Sequence, residues 1–416
     1  MQSPSKKISF ALIGFGRFGK LHANILKHHP NVRVDAICEI DPLAVQQARN
    51  EFPDAKIYTE PFNMFQEINV DAVTVVSPED THAEIVQAAL NSGSHVFCEK
   101  PLATKLSEAR KLAKISLERG LKLRVGYILR YEPRHRVLKQ QIEAGKLGEI
   151  GKIRAKRDIS RSWFEAYGYR VHSAYETLIH DVDLVLWFSQ QRCKSVSAWG
   201  GYLLGYNVPE TLVMVLEMES GTISILESSW LVPRGAPANI IGWEDASDAG
   251  KGVVEASLEV IGTKGSSYLK TYEPSLTIND DTGSYCPDLA LWPQINGRTV
   301  GALREEIWDF IEELVGENHA RFDHDPTTRE CKGLLIEESR TNFMKYSDEF
   351  AIASGQTGGN WDPIGGQSDY TRVSDTTETK DPTGTNHASK LTYVSGNATL
   401  RGYWYSGAAN GAVAKT

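Results

Sequence analysis

An apolar run near the start of the chain breaks into three spaced glycines: Phe10-Ala11-Leu12-Ile13-Gly14-Phe15-Gly16-Arg17-Phe18-Gly19, followed by a helical stretch from Lys20 to Lys27. Few structures satisfy strand, Gly-x-Gly-x-x-Gly and helix in that order. Gly14 permits a tight turn, and Gly16 lets backbone N–H groups approach a pyrophosphate. Gly19 lets the helix pack close to the strand. The positive end of the helix then faces the phosphates. Phe15, Arg17 and Phe18 complete the turn, so Gly14 to Gly19 are candidate cofactor residues.

A glycine motif alone is weak evidence, and the residues downstream of it carry the case. Val32-Arg33-Val34-Asp35-Ala36-Ile37-Cys38-Glu39 reads as a second strand ending in an acid. Glu39 lies about 20 residues past the glycines, where a carboxylate binds the ribose hydroxyls of NAD. A carboxylate there repels a 2′-phosphate, so NAD is expected and NADP is disfavoured. Asp41 is the weaker substitute.

At 416 residues the chain is too long for one ordinary core, so two or three domains are expected. A net charge of −8 argues against a nucleic-acid surface. No apolar run is long enough for a membrane span, and the polar stretch Met1–Lys7 lacks the apolar core of a secretory signal. The five cysteines are scattered without CxxC spacing, which fits a reduced, cytoplasmic compartment and no metal site.

From Ile8 to about Val125, short strands (Phe10–Ile13, Val34–Cys38, Ala72–Val76, His95–Cys98) alternate with helical stretches such as Ala83–Ser92 and Ser107–Arg119. That alternation predicts a doubly wound parallel α/β sheet. Helices follow at Arg134–Ala144 and Ser173–Phe188. Strands then arrive in succession at Thr211–Met218, Thr222–Trp230, Ala256–Ile261 and Ser267–Thr271, before a helix at Leu303–Val315. This half predicts an α+β domain with a mostly antiparallel sheet covered on one face. The expected division is 1–126, 127–318 and a tail, 319–416. The tail is rich in Gly, Ser, Thr, Asn and Asp, with strand candidates at Leu391–Val394 and Thr399–Tyr405. A short β-rich module and a partly disordered tail are both open; Trp361 and Trp404 favour the module.

Two clusters carry chemistry. Cys98-Glu99-Lys100-Pro101 follows an apolar strand, at whose carboxyl end ligands sit in such sheets. In Tyr175-Glu176-Thr177-Leu178-Ile179-His180-Asp181-Val182-Asp183, helical spacing puts Glu176, His180 and Asp183 on one stripe. A carboxylate one turn from an imidazole is expected to orient it and raise its pKa. An ordinary polar helix face gives the same spacing.

Ile8 to about Asn318 resembles the Gfo/Idh/MocA family of NAD(P)-dependent oxidoreductases. The matching pieces are Gly14 to Gly19, Ser77-Pro78 with His82, Glu99-Lys100-Pro101, Arg130 with Pro133, and Gly145-Lys146-Leu147-Gly148. His180-Asp181-Val182-Asp183, Gly262-Thr263-Lys264-Gly265 and Gly301-Ala302-Leu303-Arg304 follow in order. The resemblance implies a Rossmann domain, then a large sheet that often supports dimers or tetramers. It implies that Lys100 contacts the substrate hydroxyl and nicotinamide region and that His180 is the general base. It implies that Ser77, His82 and Glu99 line the cofactor cleft. The family has Asp where this chain has Glu176. A further helix and closing strand are implied after Val315, and the tail stands in their place, which is expected to leave an apolar patch uncovered.

The tail motifs Arg321-Phe322-Asp323-His324-Asp325-Pro326 and Gly333-Leu334-Leu335-Ile336-Glu337-Glu338-Ser339-Arg340-Thr341-Asn342 resemble a segment of phage tail and tail-fibre proteins that leads into a carbohydrate-binding β-sandwich. Asp381-Pro382-Thr383-Gly384, with Ala388-Ser389-Lys390-Leu391-Thr392, fits its early strands, and the resemblance implies a sandwich that Thr416 is expected to leave incomplete.

The expected function is hydride transfer between NAD and a hydroxyl carbon of a sugar, polyol or cyclitol by a homo-oligomer. Lys100, His180 and Glu176 would be catalytic, and Arg130 and Asp183 would be candidate substrate contacts or domain-interface residues. Tyr127 and Trp163 are expected to shape the pocket or pack the core. The alternatives are a glycan- or virion-binding fusion with an inactive Rossmann passenger, and a minor one, NAD-dependent glycoside cleavage.

Overall fold

The computed structural model describes residues 7–168, 171–233, 239–240, 253–270, 276–281, 283–315, 321–324, 331–335, 370–373, 388–395 and 398–405. Residues up to Phe310 form one compact unit and those from Ile311 onward a second.

The chain begins β1 (Ile8–Ile13), α1 (Arg17–His28), β2 (Val32–Cys38), α2 (Pro42–Glu51), β3 (Lys56–Tyr58), α3 (Pro61–Glu67), β4 (Ala72–Val75), α4 (His82–Ser92), β5 (His95–Glu99), α5 (Leu106–Arg119) and β6 (Leu123–Gly126). The six strands form one sheet in the order β3-β2-β1-β4-β5-β6, with every neighbouring pair parallel. The order reverses direction at β1 and β4. A cleft opens at such a switch point, beyond the carboxyl ends of the strands. β4 is buried along its whole length, as expected when helices cover both faces. Two apolar cores flank the sheet. One joins Val73, Val75, Ile85, Leu90, Val96 and Leu112; the other joins Leu12, Phe15, Ile37, Ala48 and Phe52. Each large side chain fully buried this way contributes roughly 1.5–3 kcal/mol.

The second half runs α6 (Pro133–Glu143), β7 (Ile150–Ser160), α7 (Arg161–Tyr167), a π turn (Ala174–Leu178), α8 (Ile179–Ser189), β8 (Cys193–Gly201), β9 (Thr211–Met218) and β10 (Ile223–Val232). Next come β11 (Asn239–Ile240), β12 (Val253–Gly262), β13 (Ser266–Lys270), β14 (Ile278–Asp280), β15 (Gly283–Pro287), β16 (Gln294–Ile295), β17 (Arg298–Thr299) and α9 (Ala302–Val315). The main sheet here is β13-β12-β7-β10-β9-β8. All its pairs are antiparallel except the central one, β7 with β10. Burial alternates along β10, with Ser224, Leu226, Ser228 and Trp230 inward, so one face is packed. α8 lies against that face and buries Leu184, Val185 and Phe188.

The alternating pattern of the first 125 residues, the second sheet and the helix near Leu303 are found as the sequence implies. In the second half β7, β8 and the short strands β11 and β14 to β17 are additions. β8 carries no buried face, which removes the alternation that would mark it. The expected single helix from Ser173 to Phe188 opens as a π turn instead. Thr271, the expected end of β13, lies outside the described residues.

In the second unit, β18 (Arg321–His324) pairs antiparallel with β19 (Cys331–Leu335), and β20 (Tyr370–Val373), β21 (Ala388–Ser395) and β22 (Ala398–Tyr405) form an antiparallel meander. The strand candidates Leu391–Val394 and Thr399–Tyr405 fall within β21 and β22. Asp325, Pro326, the motif from Ile336 to Asn342, Trp361 and Asp381–Gly384 lie outside the described residues.

Candidate active site

The glycine turn sits between β1 and α1, at the carboxyl edge of the first sheet. Gly14 has φ of +94°, and a Cβ there would lie 2.5 Å from the carbonyl oxygen of Val76. A Cβ on Gly19 would fall on the Gly14 carbonyl oxygen, which is why α1 can lie so close to β1. Gly16 has open space where a side chain would project. It is also the N-cap of α1, with no side-chain cap and no acid in the first turn. The amides at this helix end are thus left for an anion. Phe18 packs its ring on His22 and Trp292, so its backbone, not its side chain, faces the turn.

Glu39 stands at the end of β2 beside this turn. One carboxylate oxygen accepts from the Phe15 amide at 2.6 Å; the other accepts from the amides of Ile40 and Asp41 at 2.7 and 2.9 Å. The carboxylate is therefore held in place at the position expected for ribose recognition. Asp41 is used otherwise: it caps α2 by accepting from the Ala44 amide. These features fit a dinucleotide: an uncapped helix end for the pyrophosphate and a fixed acid for the sugar.

At the far side of the switch point, β5 ends in Glu99 and Lys100 comes next. Lys100 Nζ donates to Glu176 Oε2 at 2.8 Å and to the Glu176 backbone carbonyl at 3.2 Å. The π turn carries that residue to the lysine; such single turns are frequent at functional sites. Thr177, in the same turn, accepts from Trp230 Nε1 at 3.2 Å and meets Ser228 Oγ at 3.1 Å, anchoring the turn to β10.

His180 follows one turn later, with its Nδ1 shut off from solvent and without a hydrogen-bond partner. Burial first, then the charges of Lys100 and Arg157, hold its pKa well below the usual imidazole value. These surroundings favour the uncharged imidazole. This corrects the expected role of Glu176. Its carboxylate is bonded to Lys100, no described bond joins it to His180, and the imidazole pKa goes down, not up. The reason is geometric. The π turn rotates Glu176 away from regular helical spacing, and the lysine takes the carboxylate first.

Arg130 and Asp183 are brought together as a two-pronged ion pair, with N···O distances of 2.8 and 2.7 Å. The guanidinium lies 5.9 Å from the Tyr127 ring centre and 5.8 Å from that of Trp187. Burial raises the Asp183 pKa against the opposing pull of Arg130. Each group's binding capacity is largely spent on the other, which favours an interface role over substrate contact. Asp181, two residues before Asp183, forms a second fork with Arg157 at 3.0 and 2.8 Å, both buried; the sequence does not single out Arg157.

Ser77, His82 and Glu99 behave as wall and braces. Ser77 Oγ meets Thr81 Oγ1 at 2.7 Å. His82 is buried, its ring nitrogens 2.7 Å from the Pro101 carbonyl and 2.8 Å from that of Ser77. It ties the loop after β4 to the loop after β5, and so stands behind the cleft. Glu99 is buried too, with one oxygen 3.1 Å from His22 Nε2 and the other accepting from the Lys100 amide at 3.2 Å. Tyr127 is held neutral: burial, then the Asp183 charge, push its pKa up to about 12. Trp163 packs beside the aromatic cluster of Phe164, Tyr206 and Trp230, in keeping with a core role. Among the described residues no helix is long and apolar enough to cross a membrane, and no His, Cys, Asp and Glu cluster is fit for a metal ion.

Residues 8–127 match the model of the oxidoreductase family with an NAD-binding Rossmann fold, and residues 135–268 match the GFO/IDH/MocA C-terminal domain. Together they span more than half of the chain. The chain belongs to the Gfo/Idh/MocA oxidoreductase family. NAD is accordingly the cofactor of its first sheet, and the protein is a dehydrogenase of that family. Myo-inositol 2-dehydrogenase of Thermotoga maritima is 27% identical over 224 residues, covering 52% of this chain and 67% of that protein. The scyllo-inositol 2-dehydrogenase (NAD(+)) of Bacillus subtilis is 27% identical over 273 residues, covering 63% and 79%. The crystal structure of myo-inositol 2-dehydrogenase from Lactobacillus plantarum superposes with a TM-score of 0.62 at 26% identity, covering 75% of this chain and 90% of that one. Both family models end by residue 268, so the phage-tail resemblance rests on the tail motifs alone.

Proposed function

We propose that this Gfo/Idh/MocA protein oxidises a secondary hydroxyl of a cyclitol, polyol or sugar with NAD. The observation that carries this reading is the meeting of Lys100 with the turn that bears Glu176 and leads into His180. The resemblance to inositol dehydrogenases supports a cyclitol or a similar polyol. NAD, when bound, supplies the hydride acceptor. His180, a half-buried imidazole whose Nδ1 is turned away from solvent, takes the hydroxyl proton on its open side as the carbon is oxidised. Lys100 presents its ammonium to the oxygen and stabilises the developing alkoxide. Glu176 holds that ammonium in place through their ion pair at 2.8 Å. Positioning of this kind, and a fixed field, are what the protein contributes to cofactor chemistry. Arg130 and Asp183 belong to the frame of the site and not to its contacts.

The reading extends to domains and assembly. The NAD-binding part would end near residue 126 and the substrate-binding part near 318. The uncovered face of the second sheet bears Trp199, Ile223, Ile261 and Tyr268, and supports a homo-oligomer joined through that face.

The test is to mix the purified protein with NAD and a panel of cyclitols, polyols and sugars and to follow NADH absorbance. Lys100→Met and His180→Ala should each lower turnover about 10²–10⁴-fold while NAD still binds. Unchanged turnover in either variant removes that residue from the mechanism, and no uptake of NAD by folded protein defeats the whole reading.

A further inference from the structure

Glu306, on α9, is a buried acid that the chemistry above does not use. It is 1% exposed, and it shares its helix with the buried Leu303, Ile307 and Phe310. The backbone amide of Tyr127 donates to its carboxyl, while Oε2 has no hydrogen-bond partner. The charges of Glu99 on β5, Arg124 on β6 and Asp183 on α8 act on it. On its own helix, Asp309 takes Arg124 and the Tyr131 hydroxyl, and Glu305 is paired with Arg304. Glu99 is itself committed to His22 and the Lys100 amide. A Cβ on Gly126 would lie 2.7 Å from Glu99 Oε1, so the end of β6 is pressed directly on this carboxylate. The turns bearing Lys100 and Tyr127 thus meet at a pair of acids, one anchored by hydrogen bonds through both oxygens and one through only one of them.

Two negative charges at this depth would repel strongly. Burial first, and then the Glu99 charge, hold the Glu306 carboxyl well above the usual carboxylate range. We propose that Glu306 is a positioning residue for the dehydrogenase site: its buried carboxyl holds the Tyr127 backbone amide at the end of β6, beside the Glu99 carboxylate that braces the Lys100 amide and His22. This rests on the function proposed above. An ionised Glu306 would push Glu99 away and loosen the loops that carry Lys100 and Tyr127.

The pH effect has a definite sign. A carboxyl whose folded pKa is raised gives its full stability below its unfolded value of 4.5, and loses it as pH rises through the folded value. Three proteins are compared: wild type, Glu306→Gln, which keeps the shape and an acceptor for Tyr127 without a titrating proton, and Glu306→Ala. Melting temperature is recorded from pH 5 to 9, NAD affinity by calorimetry and turnover by NADH absorbance. Glu306→Gln should bind NAD as the wild type does, and its melting temperature should fall less as pH rises. Glu306→Ala should bind NAD more weakly and turn over about tenfold to a hundredfold more slowly. The proposal is overturned if the wild-type and Glu306→Gln melting profiles superimpose, if Glu306→Gln is as impaired as Glu306→Ala at neutral pH, or if Glu306→Ala binds NAD unchanged. Should the wild type bind NAD yet oxidise no alcohol, the proposed function fails, while the melting and NAD-affinity arms still judge Glu306.

Discussion

The two six-stranded sheets of the first unit solve the same burial problem in different ways. The six parallel strands of the first are covered on both faces, and β4 is buried throughout. The second sheet is packed on one face only, and its other face carries cross-strand ion pairs such as Lys152–Glu259 and Arg154–Glu227 beside Trp199 and Tyr268. At the carboxyl edge of the first sheet, where the cofactor would lie, stand Glu39, Glu99 and Lys100. The second brings charge inside, under α8, as the buried fork of Arg157 and Asp181. One region is held by apolar packing and close backbone approach. The other is held in part by paired charges that also set the electrostatics of His180.

Experiment can test that contrast. Asp181→Ala leaves Arg157 buried without its fork partner, and should cost about 3–5 kcal/mol, read by denaturant unfolding. Asp183→Ala should cost less, because the Arg130 side chain is 39% exposed and can turn to water. Equal costs would mean that burial does not separate the two forks. In the first sheet, Gly19→Ala puts a Cβ on the Gly14 carbonyl oxygen. It should lower stability by about 1–3 kcal/mol and weaken NAD binding in calorimetry. A variant that binds NAD normally would show that the close approach of α1 is dispensable.

Acid should also distinguish the regions. His29, at the end of α1, has its pKa lowered to about 4 by burial, and its ring packs on Trp308. A histidine neutral in the fold stabilises above its unfolded value of 6.5, and that stability is lost as pH falls toward 4. The melting temperature should therefore drop across this interval, and His29→Gln should flatten the drop; an unaltered slope would assign the acid sensitivity to His180 and His172, whose values are also lowered. The smallest expected effect on the fold is at the open face. Trp199→Glu should change subunit stability by only about 0.5 kcal/mol. Sedimentation should nonetheless show a smaller assembly, and an unchanged sedimentation profile would remove this face from the oligomer.

Much of the first sheet is legible in the chain because its signals are local. Glycines at fixed offsets, an apolar run and an acid at a set distance each constrain the backbone within a few residues. Lys100 and His180 stand out for the same reason, as motif positions. β8 does not, because an edge strand with no buried face has no alternation to read. Arg157 gives no signal because its partner Asp181 comes from a different element. The spacing of Glu176 misleads because i, i+4 contact assumes a regular helix, and a π turn breaks that assumption.

Residue order alone sets the alternation of strands and helices, the phosphate-binding turn, the acid after β2 and the presence of a lysine and a histidine in family motifs. The pairing of charges comes from the packed fold: Glu176 with Lys100, Asp183 with Arg130, Asp181 with Arg157, and Glu306 against Glu99. A turn or cap depends on neighbours within a few residues, whereas the protonation and partner of a buried charge depend on whichever distant groups the fold packs against it.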